Sequence, residues 1–375
     1  MKSGTIKWRK YLRSVFSALI TPFILALGII HLNSLSAAWI SPAQIPLPAV
    51  FGLIFPFTLA ALIISMPILI IVKSRWIWIQ LILIAISIPG MLNFIHFHQP
   101  VNEESTLSIT TYNLHGYRGF NSKPEEMSPV IGINSYLADN SQDIICLQEF
   151  RAWSGNLEAD IQSVKQMTGL KYHYTNMYWD KGGKQTDSYL IMSRYPIVNQ
   201  GVVKAFNQRN IGVYADIVVS GQSIRVFSIH LASFGLEEDQ IAMIGEAANM
   251  EMTKVKTHGR SLISRLTTHF ELRYFEYEAL VHLLSNYSGP VLVCGDFNET
   301  PASFIYRTMR NLGYADTHTQ TGNYFGTTYG GKLPFLRIDY VFHSKDFIAI
   351  TSEVDPLNWS DHYPLRVGVK LQTFD

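Results

Sequence analysis

The chain opens with three stretches, 15–32, 47–72 and 76–97, in which no side chain is charged. A helix needs about 20 apolar residues to cross a hydrocarbon core roughly 30 Å thick. The second and third stretches meet that length and the first is marginal. Pro22, Pro56, Pro67 and Pro89 fall inside them, which bilayer helices tolerate because neighbouring helices satisfy the freed carbonyls. Trp39, Trp76 and Trp78 stand at the ends, where amphipathic rings prefer the headgroup zone. Residues 1–98 therefore read as a membrane anchor of three transmembrane helices. The first stretch also fits a secretory signal, with a basic start and Ser36-Ala37-Ala38 at the cut.

Charge separates this anchor from the rest. Seven of the 30 basic groups and none of the 29 acids fall in residues 1–102, so the remainder sets 23 basic groups against all 29 acids. Basic residues stay on the cytoplasmic side. Five precede the first stretch, Lys73 and Arg75 sit between the second and third, and the loop at 33–46 has none. The N-terminus is thus expected inside and everything after residue 98 outside, an outcome that cleavage of the first stretch leaves unchanged. With no recognised eukaryotic address, the pattern points to a bacterial inner membrane and a periplasmic domain. Cys146 and Cys294 are too few for a disulfide framework. Each lies in an apolar run and reads as a small buried hydrophobe.

From residue 99 onward the texture is that of one layered α/β or α+β domain. Short β-type runs at 107–112, 143–147, 189–193, 213–219, 223–230, 291–294, 338–342 and 365–371 read as strands. Helical stretches interleave at 127–140, 156–168, 258–285 and 303–312, and 237–285 is free of proline and mostly helical in pattern.

Five strand ends concentrate polar groups. They are Asn113 with His115, Glu149, His230, Asp296 with Asn298, and Asp361 with His362. Singly, each has a plain structural explanation, such as an Asx turn or a satisfied core histidine. Together they exceed anything folding requires. Hard oxygen ligands such as Glu149 suit Mg²⁺, which polarises a phosphoryl oxygen. His362 beside Asp361 suits a general base or a cation facing phosphate, with the acid fixing its tautomer. Asp296 can take a proton from water while Asn298 orients it, and His230 can bond the developing charge. Zinc fits less well, since there is no cysteine cluster and no helical histidine pair.

Seven motifs in one order then give a resemblance: Thr111-Tyr112-Asn113, Leu147-Gln148-Glu149, Ser193-Arg194-Tyr195-Pro196-Ile197, His230-Leu231-Ala232-Ser233, Gly295-Asp296-Phe297-Asn298-Glu299-Thr300-Pro301, Arg337-Ile338-Asp339-Tyr340-Val341-Phe342 and Ser360-Asp361-His362-Tyr363-Pro364. From about residue 105 to the C-terminus the chain resembles the endonuclease/exonuclease/phosphatase, or DNase I-like, superfamily. The resemblance implies a four-layered α/β sandwich and a hydrolase using Mg²⁺, with Mn²⁺ as a substitute. It implies Glu149 as main metal ligand with Asn113 and Asp361 nearby, and Asp296 and Asn298 handling water and phosphate. His230 and His362 would contact the scissile phosphate, with Asp339 supporting His362. Two departures concern the substrate: His115 stands where the repair-nuclease branch has an acid, and Thr186-Asp187-Ser188-Tyr189 stands where many relatives carry glycines.

Nucleic-acid enzymes normally show a basic footprint, and this domain is net acidic. The basic clusters at Lys181-Gly182-Gly183-Lys184 and at Lys254–Lys256 with Arg260, Arg265 and Arg273 are exceptions, the latter reading as a solvated helical face. Aromatics at Tyr172, Tyr174, Tyr178 and Trp179, and at Tyr324, Phe325 and Tyr329, fit loop packing, a lipid interface or base stacking. A lipid-headgroup or small-molecule phosphoester is favoured as substrate over DNA or RNA. The alternatives are an extracytoplasmic nuclease and a non-catalytic phosphate-binding module. The last would predict loss of Glu149, Asp296 or His362, and all three are present. A transport role would call for ionisable residues within the spans, and the spans have no Asp, Glu, Lys or Arg.

Overall fold

The computed structural model describes residues 2–99, 103–119, 127–179, 186–235, 252–331 and 335–372. The Lys181–Lys184 cluster and the 237–251 part of the expected helix lie outside the described residues, as do the side chains of Lys254 and Lys256.

Residues 2–91 form α1 (Lys2–Ser36), α2 (Leu47–Gly52), α3 (Phe55–Val72) and α4 (Ile77–Met91). The expected second span is broken between Gly52 and Phe55. Prolines sit in the first turns of both α2 and α3, where a missing N–H costs nothing. Two helices, Ala18–Ser36 within α1 and Phe55–Val72, are long and apolar enough to cross a membrane. The expectation of three such helices is corrected: α4 has 15 residues, about 22 Å at 1.5 Å per residue, because the chain turns at Leu92 and buries Phe94. The buried His31 ring of α1 bonds Thr58 Oγ1 of α3 at 2.9 Å and Ser87 Oγ of α4 at 2.7 Å. α1, α3 and α4 thus form one bundle.

The rest is a sandwich of two six-stranded mixed sheets. The first has the order β11 (Phe347–Val354), β12 (Leu365–Leu371), β1 (Leu107–Asn113), β2 (Ile144–Phe150), β4 (Thr186–Ser193) and β3 (Tyr172–Trp179). The second runs β5 (Ile197–Lys204), β6 (Asn210–Val219), β7 (Gln222–His230), β8 (Val291–Asp296), β10 (Asp339–His343) and β9 (Ala315–Asp316). The inner faces meet in one apolar layer of alternating strand residues, including Ile109, Cys146, Ile191, Val213, Val226, Cys294 and Val341. Both cysteines are buried there, as expected.

α5 (Pro129–Asp139) and α6 (Leu157–Thr168) cover the outer face of the first sheet. α7 (Met252–Ser285) and α8 (Phe304–Asn311) cover that of the second, and α9 (Thr317–Thr321) follows β9. This is the expected four-layered α/β sandwich. The aromatics at 172–179 lie in strand β3, not in a loop.

Gly295 shows how tightly β7 and β8 approach at the end of the sandwich where Asp296 lies. Its φ is +131°, and an added Cβ would lie 2.0 Å from the carbonyl oxygen of Ile229. Gly295→Ala is expected to destabilise the protein by about 3 kcal/mol or more, from overpacking and backbone strain together. A thermal melt with an unchanged midpoint would contradict this packing.

Candidate active site

The functional side chains gather because parallel neighbours end together. β1 and β2 are parallel, and their pairing finishes at Asn113 opposite Gln148, one residue before Glu149. β7 and β8 are parallel with His230 in register with Asp296. β10 runs antiparallel to β8 and begins at Asp339, opposite Asp296. β12 pairs Leu365 with Thr111 of β1, which leaves Asp361 and His362 just beyond the end of β1. A β-bulge between Leu147 and Phe150 interrupts the pairing of β2 with β4. Glu149 sits in it with φ +51°, so the bulge re-aims its carboxylate off the ladder.

Asp296 is the centre of the cluster. Its Oδ2 accepts from Asn113 Nδ2 at 3.1 Å, and its Oδ1 accepts from the Asn298 backbone N–H at 2.8 Å. The Nε2 atoms of His230 and His362 each lie 3.6 Å from Oδ2, and His230 Nε2 is 3.8 Å from Glu149 Oε1. Asn298 donates its side-chain N–H to the Leu231 carbonyl at 3.1 Å. Burial pushes the Asp296 carboxyl up to about 7 despite the opposing pull of His362, near the pKa that suits a base at neutral pH.

His362 bonds Asp339 Oδ2 through Nδ1 at 2.8 Å. Burial alone would lower the imidazole, but Asp339 and then Asp296 raise it well above its usual value. Asp339, and not the adjacent Asp361, fixes its tautomer. Neighbours in extended chain point to opposite sides, and Asp361 Oδ1 instead lies 3.4 Å from His115 Nδ1.

Two sets of donors can hold a cation. Asp296, Asp339 and His362 each offer an atom within 4.8 Å of the others, but the 2.8 Å bond within that set marks a charge-paired dyad. Glu149 and Asp361 offer hard oxygens at the partly open side, where their side chains keep 22% and 17% exposure, and the buried Asn113 Oδ1 behind them accepts from the His115 N–H at 3.1 Å. Burial raises the Glu149 carboxyl; His115 opposes this, while Asp361 and Asp187 add repulsion. Crowded carboxylates of this kind fit a divalent ion.

All eight expected site residues are therefore brought together, and His115 joins them. Sequence reasoning missed the supports behind them. Thr328 Oγ1 accepts the backbone N–H of both Ile338 and Asp339 at 3.0 Å. The Tyr329 ring stands edge-on to His362 at 5.3 Å. Arg273, expected on a solvated face, is fully buried, donates to the Asn298 carbonyl and pairs with Glu299 at 3.0 Å. Arg260 and Arg265 are exposed as expected. Buried Glu276 accepts from the Ala232 N–H at 2.6 Å and from Arg209 at 2.7 Å. The missed signal was position: residues 266, 270, 273, 277, 280 and 284 form one helical stripe, buried throughout.

A two-sheet sandwich with carboxylates, imidazoles and amides converging at one end defines a phosphoester-hydrolase class. The model of the endonuclease/exonuclease/phosphatase family matches residues 110–362, and the chain belongs to that family of phosphoester-hydrolysing enzymes. A second model, of a domain of unknown function, matches residues 13–94. No curated protein matches the chain. Among solved structures, an endonuclease/exonuclease/phosphatase from Beutenbergia cavernae superposes with a TM-score of 0.51 at 16% identity, over 71% of each chain. A family protein from Leptotrichia buccalis gives 0.51 at 18% identity, over 71% of this chain and 100% of its own. At these identities the likeness is one of fold.

Proposed function

We propose that the protein is a membrane-anchored, Mg²⁺-dependent phosphoesterase that hydrolyses lipid-headgroup or small-molecule phosphoesters by attack of water. The observation that carries this reading is the convergence of Asn113, His230 and His362 on Asp296, beside the oxygen donors of Glu149 and Asp361. Asp296 takes the proton of the attacking water, and Asn113 holds its carboxylate in place. The protonated His362, backed by Asp339, faces the phosphate and offsets the charge that grows on it, with His230 on the same side. Asn298, fixed by Leu231 and Arg273, orients the water or the phosphate. A cation on Glu149, Asp361 and Asn113 would polarise the phosphoryl oxygen and stabilise the leaving oxygen.

Several features support the anchor and its topology. α1 and α4 end, and α3 begins, against the sandwich, whereas Lys73 and Arg75 lie about 27 Å away at the far end of α3. The five other basic residues of the anchor belong to the distant start of α1. Although α4 is shorter than a full span, it returns the chain from this basic end to the sandwich, and the polarity supports a cytoplasmic basic end and an extracytoplasmic catalytic domain in a bacterial inner membrane. The acidic balance of the domain argues against nucleic acid.

Full-length protein in detergent, offered bis-p-nitrophenyl phosphate, phospholipid vesicles, inositol phosphates and plasmid DNA with Mg²⁺, tests the reading. Release from a lipid or small ester, with DNA left intact, is expected; rapid DNA cutting would select the nuclease. Asp339→Asn is expected to lower kcat by about 10²–10⁴ with KM little changed, because His362 loses the anion that keeps it charged and oriented. An unchanged kcat would remove the dyad from the mechanism.

A further inference from the structure

The segments that carry the catalytic side chains have their other ends on the helical bundle. Six residues past Asp296, Ala302 is buried against Phe55, Leu59 and Phe94 of the bundle. Two residues before Asp339, Arg337 donates to the Asn93 carbonyl at 2.6 Å. Gly330 donates its N–H to the Asp361 carbonyl at 2.8 Å. Five residues earlier, Phe325 packs into the same bundle cluster as Phe55. Tyr324 exchanges backbone hydrogen bonds with His96 at 2.7 and 3.2 Å. The sandwich therefore stands on the bundle with its catalytic end down. Five extended residues from Tyr324 to Tyr329 reach at most about 18 Å, and Tyr329 bridges His362, which keeps the site close above that junction.

The junction carries large rings that the protein leaves uncovered. Phe97 is 75% exposed, Tyr324 69% and Phe335 46%, while Trp39, 68% exposed, carries the Arg307 guanidinium over one face of its ring. Phe97 and Tyr324 meet edge to face at 5.8 Å. Tyr324 and Phe335 hold left-handed backbone, φ +56° and +61°, which costs free energy in residues with a Cβ. Trp39 follows Ala18–Ser36, a helix long and apolar enough to span a bilayer, Phe97 follows the shorter α4 and meets Tyr324, and Phe335 packs against Phe57 in the first turn of α3. The end of a span is the depth at which aromatic rings settle into the headgroup layer.

We infer that this aromatic rim lies in the headgroup layer of the anchored membrane and that the site takes phosphoesters of amphiphiles resident in that leaflet. The inference rests on the phosphoesterase reading above and adds the source of the substrate. A dissolved ester must reach the mouth from bulk water, whereas a leaflet ester is concentrated beside it and arrives by lateral diffusion. Exposed rings at a catalytic rim are unfavourable in water and favourable there.

The test uses full-length protein reconstituted in phosphatidylcholine vesicles and two esters with one leaving group, phosphatidyl-p-nitrophenol in the bilayer and bis-p-nitrophenyl phosphate in solution. Phe97→Ser/Tyr324→Ser is expected to slow nitrophenol release from the bilayer ester by at least about fivefold and to leave the soluble diester unaffected. Equal rates on the bilayer ester for wild type and variant would overturn the inference while keeping the hydrolase. No release from either ester by wild type would overturn the hydrolase reading, and this inference with it. Independently of activity, an environment-sensitive dye on Tyr324→Cys should be quenched by nitroxide-headgroup lipid, and absence of quenching would overturn the membrane contact.

Discussion

Asp296→Asn is expected to abolish turnover, lowering kcat by about 10³ or more, while the thermal midpoint stays level or rises. The activity loss follows from removing the base on which Asn113, His230 and His362 converge, since a positioned proton acceptor and its partners act as a unit. The stability outcome follows from burial. A carboxyl pushed up to about 7 is one whose charge the fold disfavours, so a neutral isostere relieves that cost. Asparagine still meets the Asn298 N–H through its carbonyl, while its Nδ2 loses the bond from Asn113, which offsets part of the gain. Kinetics on a soluble diester beside a thermal melt read both quantities. A parallel fall in midpoint and kcat would make Asp296 a structural residue instead.

The second large effect is expected at Arg273. Arg273→Met leaves Glu299 buried without its cation and removes the donor to the Asn298 carbonyl. Breaking one side of a buried ion pair costs about 3–5 kcal/mol, on the order of 10 °C in the midpoint for a domain of this size. Adding Glu299→Leu replaces the pair by apolar groups and should recover most of that loss. Arg273→Met is also expected to lower kcat, and that defect should persist in the double variant, because the bond from Arg273 to the Asn298 carbonyl is not restored and Asn298 is left with its bonds to Asp296 and Leu231. Recovery of both midpoint and kcat would show that Arg273 acts on stability alone.

Arg273 also shows where sequence reasoning fails. An arginine at a core-facing helical position is hidden among genuinely solvated neighbours such as Arg260 and Arg265, and only the stripe of Leu266, Phe270, Tyr277 and Leu280 betrays it. The strands repeat the lesson. The eight legible from the sequence are β1, β2, β4, β6, β7, β8, β10 and β12, which are the interior strands of the two sheets. Those missed, β3, β5, β9 and β11, are the four edges. Interior strands are covered by neighbours on both sides and read as dense apolar runs such as Val291-Leu292-Val293-Cys294. Edge strands dilute that signal, as Asn199, Gln200 and Gly201 do in β5, because polar residues there discourage pairing with other chains.

The site was legible for a related reason. A buried strand that closes on Glu149 or Asp296 leaves a carboxylate that folding does not explain. Its partners were harder to assign. Asp361 is adjacent to His362 in sequence, yet Asp339, 23 residues earlier, holds the ring. The residues of the sequence alone point to Asp361, the family resemblance points to Asp339, and the antiparallel pairing of β10 with β8 shows how Asp339 reaches the ring. The bundle was misjudged in the third stretch, where uncharged composition suggested a full span and the turn at Leu92 ends α4 early.

The phosphoesterase proposed above would hold its cation on Glu149. The most direct test of that proposal is nitrophenol release from bis-p-nitrophenyl phosphate by the full-length protein, stripped with EDTA and then titrated with Mg²⁺. Wild type should be silent after EDTA and regain turnover with saturable Mg²⁺, while Glu149→Ala, folded by its melt, stays at least about 10³ below it at every Mg²⁺ concentration. Turnover that survives EDTA, or that Glu149→Ala retains, would contradict the account.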